Sequence, residues 1–368
     1  MAEPRRVLVA MSGGVDSGMA AALLVERGYH VAGITLRLWR EPSTPDEAEA
    51  EPDAIASARA ICAHLGIPHE VLDVRQVFQR EVVAYFGQEY LRGRTPNPCL
   101  RCNRWLKFGL LLDEALRRGY DFLATGHYVR LRRQGELYQL WCGVDEAKDQ
   151  SYVLYALRQE HLRHLLFPLG EYTKDQVRAL ARARGLPAAE RPESQDICFL
   201  RDNDYRRFLR ERWPAAGTPG PIVDRQGRYL GEHKGLAFYT VGQREGLGIA
   251  APRPLYVLAL DVARNALVVG HAEALGRDTF LVEEVSYISG EPPDPGTAVE
   301  VKIRYRAPRV PARVETLPGQ RARVILARPL RDITPGQAAV FYEGEQLLGG
   351  GIIAQVADLS QGQEEGAW

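Results

Sequence analysis

Near the N-terminus, Val7-Leu8-Val9-Ala10-Met11 is an apolar run that stops at Ser12-Gly13-Gly14, and a helix-forming run opens at Ser17. That order predicts a buried strand, a glycine-rich turn and a helix. The free N–H groups and dipole of a helix N-terminus attract anions, and glycines let the backbone approach a phosphate. No Gly-Lys-Ser/Thr closes this loop, so it is not the common P-loop. The Gly-x-Gly-x-x-Gly spacing is also absent, so it is not the dinucleotide fingerprint.

The rest of the chain extends the pattern. Met19 to Tyr29 reads as a helix ended by Gly28, His30 to Leu38 as a strand, and Ala54 to Leu65 as a helix. Pro68 to Val74 reads as a strand, Phe78 to Gly93 as a helix and Tyr120 to Ala124 as a strand. Thr173 to Gly185 reads as an amphipathic helix with Thr173 as its N-cap. Strands alternating with helices predict a parallel sheet with ligands at the strand C-termini. Beyond Pro214, Gly and Pro multiply and short alternating runs replace long helices. A small β-rich module is expected there, with strands at Pro254 to Leu260 and Asn265 to Val269. Six further strands between Phe280 and Ala354 then predict a small β-barrel. Glu41 to Asp53 is an acidic, Pro-rich loop, and Gly362 to Trp368 reads as a frayed tail.

With 368 residues the chain is too long for one ordinary core. No apolar run is long enough to span a membrane and no signal-peptide core is present, so a cytoplasmic protein is expected. The net charge is zero, which argues against a generic nucleic-acid binder. The basic residues are nonetheless clustered at Arg130 to Arg133, Arg206 to Arg212 and Arg304 to Arg309, where arginine suits bidentate phosphate contact.

Cys62, Cys99, Cys102, Cys142 and Cys198 are too few and too odd for a disulfide framework. Cys99 and Cys102 form a Cys-x-x-Cys at the mouth of a helix, behind Asn97 and Pro98. A helix N-terminus lowers a thiol pKa, and the thiolate is both nucleophile and metal ligand. Cys198 is a third candidate, whereas Cys62 and Cys142 read as small buried residues.

Ser12-Gly13-Gly14-Val15-Asp16-Ser17 resembles the PP-loop of the ATP pyrophosphatases, which cleave ATP between the α and β phosphates. The resemblance implies that Ala10, Met11, Ser12, Gly13, Gly14, Val15, Asp16 and Ser17 hold the nucleotide, with Asp16 helping to bind Mg²⁺. Leu36 would meet the adenine through its backbone, and Gly126 would bring its N–H to the nucleotide. Further motifs follow in order: Asn97-Pro98 with Cys102-Asn103, Thr125-Gly126-His127-Tyr128, and Lys148-Asp149-Gln150-Ser151-Tyr152. Gln195-Asp196-Ile197-Cys198-Phe199, the Gly-Gln-Arg-x-Gly-Leu-Gly run and Thr334-Pro335-Gly336-Gln337 complete the set. Together these resemble the bacterial tRNA-specific 2-thiouridylases, over nearly the whole chain.

The resemblance implies an α/β fold. A parallel-sheet PP-loop (adenine nucleotide alpha hydrolase-like) domain at residues 1–204 would precede a small β-rich central domain at 205–276. A C-terminal β-barrel at 277–360 and a flexible tail at 361–368 would follow. It also implies adenylation of the C2 oxygen of the wobble uridine in tRNAs for Lys, Glu and Gln. Cys198 would carry a persulfide and Cys102 would complete the exchange, leaving a Cys102–Cys198 disulfide. Asn97, Pro98 and Cys99 would frame the flipped base. His127, Lys148, Asp149, Gln150, Arg304, Tyr305 and Gln337 match positions that touch tRNA. Tyr305 could also serve as a stacking platform for a base. A cysteine desulfurase or persulfide relay protein would donate sulfur. Many members carry Asp where this chain has Cys99; the exchange makes Cys99, Cys102 and Cys198 a three-thiolate set that could hold a 4Fe-4S cluster. A PP-loop ligase that adenylates a small molecule is the alternative reading.

Overall fold

The computed structural model describes residues 4–42, 51–191 and 197–356, with side chains up to residue 354. Residues 43–50 of the acidic loop, Gln195 and Asp196, and the tail at 361–368 lie outside the described residues.

The first layer is a five-stranded parallel sheet in the order β3-β2-β1-β4-β7. Its strands are β1 (Arg6–Ala10), β2 (His30–Arg37), β3 (His69–Asp73), β4 (Phe122–Ala124) and β7 (Leu165–Leu166). Alternate residues of β1 enter opposite cores. Val7 and Val9 pack under the helices Val15–Glu26, Asp53–His64 and Lys174–Ala183, while Leu8 joins the core around Phe108 and Leu111. A sheet buried on both faces needs continuous apolar strands, which is why β1 reads as an unbroken run. The helix Asp53–His64 rides so close that a Cβ on Gly33 would stand 2.6 Å from the Cys62 sulfur. Cys62 is thus a small packing residue, and burial pushes its thiol up to about 11.

The C-terminal region is a closed antiparallel barrel in the order β12-β15-β14-β13-β16-β17, with β12 pairing back to β17. These strands are β12 (Arg277–Tyr287), β13 (Val299–Lys302), β14 (Val310–Leu317), β15 (Arg321–Leu330), β16 (Ala338–Glu343) and β17 (Gln346–Val356). All six fall on runs expected from sequence alternation. The sequence reading does not anticipate the hairpin of β5 (Val129–Gln134) and β6 (Leu137–Cys142). It leaves the first region and pairs β6 with β17, Leu140 opposite Leu347. Between the two lies a four-stranded sheet ordered β10-β11-β8-β9, from β8 (Gly220–Val223), β9 (Tyr229–His233), β10 (Tyr256–Asp261) and β11 (Ala266–Gly270). Its Ile222, Val257 and Leu267 share one core with Phe78, Phe86, Phe199 and Phe208.

Candidate active site

The loop Ser12–Gly14 stands at the C-terminal end of β1, where a parallel sheet presents ligands. Its shape is held by hydroxyls. Ser12 N–H donates to Ser17 Oγ at 3.1 Å, Ser17 Oγ donates to Gly14 O at 3.1 Å, and Ser57 Oγ donates to Gly13 O at 2.8 Å. Gly13 has φ +73°, and a Cβ there would meet Ala54 O at 2.3 Å, so only glycine fits. The helix Val15–Glu26 starts without a side-chain cap, which leaves its first N–H groups for a ligand. The sequence reading opens this helix at Ser17; it starts two residues earlier. Gly126 lies against the loop itself: a Cβ would stand 2.8 Å from the carbonyl carbon of Asp16. Ala10 and buried Met11 lead into the turn, with Met11 N–H bonded to Ile34 O at 2.8 Å, and Leu36 lies near the end of β2 between two cores.

Asp16 is held by two neighbours. Its Oδ1 accepts from Tyr128 Oη at 2.7 Å, and Lys174 Nζ reaches Oδ1 at 2.7 Å and Oδ2 at 2.8 Å. Without nucleotide the carboxylate is thus engaged by a lysine and a tyrosine. Lys174 is the residue that the sequence reading misses. It begins the helix Lys174–Ala183, whose expected N-cap Thr173 also forms a capping box with Gln176.

The thiols come from two segments. Pro98–Arg101 opens a continuous helical run, with Asn97 Oδ1 accepting Cys99 N–H at 3.0 Å. From Cys102 to Leu110 the run widens into a π-helix, a rare form frequent at functional sites. Cys198 sits in a turn placed by its neighbour Phe199, which is 1% exposed. The Phe199 ring packs edge-on against Phe86 at 5.4 Å and Phe78 at 5.9 Å, and obliquely against Phe208 at 5.6 Å. Glu41 N–H bonds Phe199 O at 3.0 Å, and Arg207 holds the Glu41 carboxyl below its usual range. The entrance of the acidic loop is therefore pinned to the Cys198 turn. Cys102 packs on the same aromatic core.

The sign of the thiol shifts is opposite to the helix-mouth expectation. Desolvation by the surrounding protein pushes Cys99 and Cys102 up, and Lys107 pulls each back down. Cys198 is pushed up to about 12, by desolvation first and then by Cys102 and Cys99, against Lys107 and Arg40. At Cys99 and Cys102 the loss of solvation acts against the helix terminus, although the Cys99 and Cys198 side chains still reach the surface. All five cysteines are free, so the expected Cys102–Cys198 disulfide is not formed here. Among the described residues no three His, Cys, Asp or Glu side chains converge as a metal site. Cys99, Cys102 and Cys198 are thus not grouped as a three-ligand set in this arrangement.

The residues matched to tRNA contacts divide into two groups. Lys148 and Arg304 are partly exposed, and Tyr305 is half-buried with its ring edge-on to Tyr152 at 5.9 Å. Of the others, His127 and Asp149 are buried, while Gln150 and Gln337 are partly exposed and turn their amides onto the backbone. His127 is buried, with Nδ1 2.8 Å from Thr125 Oγ1 and its ring 5.7 Å from Phe108; burial holds it well below its usual pKa, with Lys107 adding to the effect. Buried Asp149 accepts Gly143 N–H at 3.1 Å and Ser151 Oγ–H at 2.7 Å. Gln150 Oε1 accepts Tyr128 N–H at 3.0 Å. Gln337 Nε2 donates to Thr95 O at 2.7 Å, and Thr95 N–H donates to Pro335 O at 2.8 Å. The Thr334–Gln337 turn thus braces the segment just before Asn97, Pro98 and Cys99. Buried Cys142 is held by Arg309 at 2.7 Å, in keeping with a packing role.

Comparison with known proteins follows the same three parts. Residues 5–202 match the model described as the tRNA methyl transferase HUP domain. Residues 206–271 match the tRNA methyl transferase PRC-barrel domain, and 277–353 match the aminomethyltransferase beta-barrel domain. A tRNA-specific 2-thiouridylase from Chloroflexus aggregans is 52% identical over 95% of this chain and 98% of its own. Another, from Roseiflexus castenholzii, is 50% identical over 95% of this chain and 99% of its own. A third, from Magnetococcus marinus, is 51% identical over 96% of this chain and all of its own. With its anion-binding loop, its two thiol segments and this full-length likeness, the chain belongs to the tRNA-specific 2-thiouridylases, a family of tRNA-uridine 2-sulfurtransferases.

Proposed function

We propose that this protein uses ATP to replace the C2 oxygen of the wobble uridine with sulfur in tRNAs for Lys, Glu and Gln. The observation that carries the reading is the anion-binding loop at the C-terminal end of β1 in a chain whose two thiol segments, Cys102 and the Cys198–Phe199 turn, pack on one aromatic core, together with its full-length likeness to the 2-thiouridylases. Cys102 and the ring of Phe199, the neighbour of Cys198, belong to the same aromatic core.

Uracil C2 is a poor electrophile and oxide a poor leaving group. In the proposed course the C2 oxygen attacks the α-phosphorus, the α–β bond breaks, and pyrophosphate leaves from the Ser12–Ser17 loop. The terminal sulfur of a Cys198 persulfide then attacks C2, and AMP departs with the oxygen. The Cys102 thiolate attacks the Cys198 sulfur and breaks the S–S bond. Sulfur remains on C2, and the disulfide formed takes two electrons from an external dithiol. In the other order Cys102 attacks first, and the hydrosulfide released attacks C2. A sulfur-donor protein renews the persulfide.

A stacked uridine is out of reach, so the anticodon loop must be splayed. Asn97, Pro98 and Cys99 frame the base, while Lys148, Arg304 and Tyr305 meet the RNA. His127, Asp149, Gln150 and Gln337 hold the loops that carry these contacts. The three parts of the chain divide near residues 204 and 276 in this reading.

The test is mass spectrometry of tRNA nucleosides after reaction with ATP, Mg²⁺ and a persulfide source. Cys198→Ser keeps tRNA-dependent ATP–pyrophosphate exchange but yields no 2-thiouridine. Thiolated tRNA from that variant, or exchange driven by a small acid rather than tRNA, overturns the proposal.

A further inference from the structure

The loop Ser12–Ser17 contains no lysine or arginine, although its proposed task is to hold and release pyrophosphate. The common P-loop solves this with a lysine of its own that reaches the phosphates. Here the charge nearest the loop is a carboxylate, Asp16, which by itself would repel ATP. The cation comes from a segment far along the chain. The Lys174 ammonium lies 2.7 and 2.8 Å from the two Asp16 oxygens, and its side chain is only 8% exposed. Tyr128 completes the arrangement: its hydroxyl donates to Asp16 Oδ1, and its ring lies 5.8 Å from Nζ.

Resting on the ATP reading above, we propose that Lys174 is the phosphate-binding cation of this site, held in place by Asp16 until nucleotide arrives. A buried ammonium is costly without a counter-charge, so Asp16 is what allows the lysine to wait there. An ammonium is a compact donor of three N–H bonds on a flexible stem, so it can turn from a carboxylate to a phosphate oxygen within a small radius. The chain's composition fits this. Only Lys107, Lys148, Lys174, Lys234 and Lys302 of its 47 basic residues are lysine, and arginine fills the other positions. Arginine's planar fork could bind Asp16 in two places but could not turn as freely. The backbone supports the geometry. The capping box at Thr173 fixes the first turn that bears Lys174, and Lys174 N–H is tied to Asp145 Oδ2 at 2.9 Å.

The simpler role to exclude is that Lys174 only neutralises Asp16. Equilibrium binding of α,β-methylene-ATP to the full-length protein separates the two roles, with thermal melting recorded for each variant. Lys174→Met should weaken binding at least tenfold, with partial recovery in Lys174→Arg. Lys174→Met strands the Asp16 carboxylate and could unfold the loop, so the deciding pair is Asp16→Asn against Asp16→Asn/Lys174→Met. If Lys174 grips phosphate, the double variant binds at least tenfold more weakly than Asp16→Asn alone. Equal binding by those two overturns the proposal and leaves the ATP reading standing. Failure of the unmutated protein to bind the analogue overturns the ATP reading, and this inference with it.

Discussion

The anion-binding loop and the thiol pair are built in opposite ways. The loop is nearly contiguous in sequence: Ser12 to Ser17 hold one another through hydroxyl–backbone bonds, with Ser57, Gly126 and Lys174 closing the sides. The thiol pair has no such local closure. Cys102 and Cys198 share no strand or helix, and an aromatic core with Phe199 in it brings them together. A site made of backbone groups depends on a few torsion angles, whereas a site made of distant side chains depends on the packing beneath it. The first should therefore fail by local strain and the second by a cavity.

The largest expected effect comes from Phe199→Ala. Removing a ring that is 1% exposed among three others should cost about 3–5 kcal/mol. Diamide-induced Cys102–Cys198 cross-linking should slow sharply while nucleotide binding persists. Equal loss of both would break the comparison. Gly13→Ala is the mirror test. A left-handed φ and a Cβ 2.3 Å from Ala54 O should together cost about 2–4 kcal/mol. Nucleotide binding should vanish while cross-linking survives in the folded fraction; retained binding would show that the glycine is dispensable.

The smallest effect tests the piece that joins the two sites. His127 follows Gly126, which lies on the loop, and its ring meets Phe108, on the helical run that carries Cys102. Burial lowers its pKa well below 6.5, so the folded protein prefers the neutral ring. The unfolded chain then binds more protons as pH drops. This contribution is complete above about 6.5 and is lost as pH falls towards the folded value, by at most about 1.4 kcal/mol per pH unit. Thermal melts between pH 7 and 5 should show a steeper decline for the unmutated protein than for His127→Gln. Identical slopes would remove His127 from the account.

The sequence was most legible where structure is local. The apolar run Val7 to Met11, the glycines behind it, the capping box at Thr173 and the six alternating strands of the barrel each carry their information within a few residues. The reading of Cys62 and Cys142 as small buried residues also holds, Cys62 among apolar side chains and Cys142 against Arg309. Two features could be found only with the chain folded. The β5–β6 hairpin joins a strand more than two hundred residues away, and pairing at that distance leaves no periodic mark. Asp16 and Lys174 are likewise far apart along the chain, and a lysine at a helix start reads as a solvated charge.

By itself the sequence determined what kind of chemistry can occur here: an anion cradle after a buried strand, thiols at Cys99, Cys102 and Cys198, and a β-rich second half. Hydrogen-bonded turns and alternating burial are short-range, so residue order is enough to specify them. Tertiary structure decided which charges and thiols face one another. It placed Lys174 on Asp16, turned His127 and Asp149 inward, and set Cys102 and the Cys198–Phe199 turn on one aromatic core. Coulomb energy and desolvation depend on distance through space and on what surrounds a group, and neither quantity is written in the order of residues along a chain.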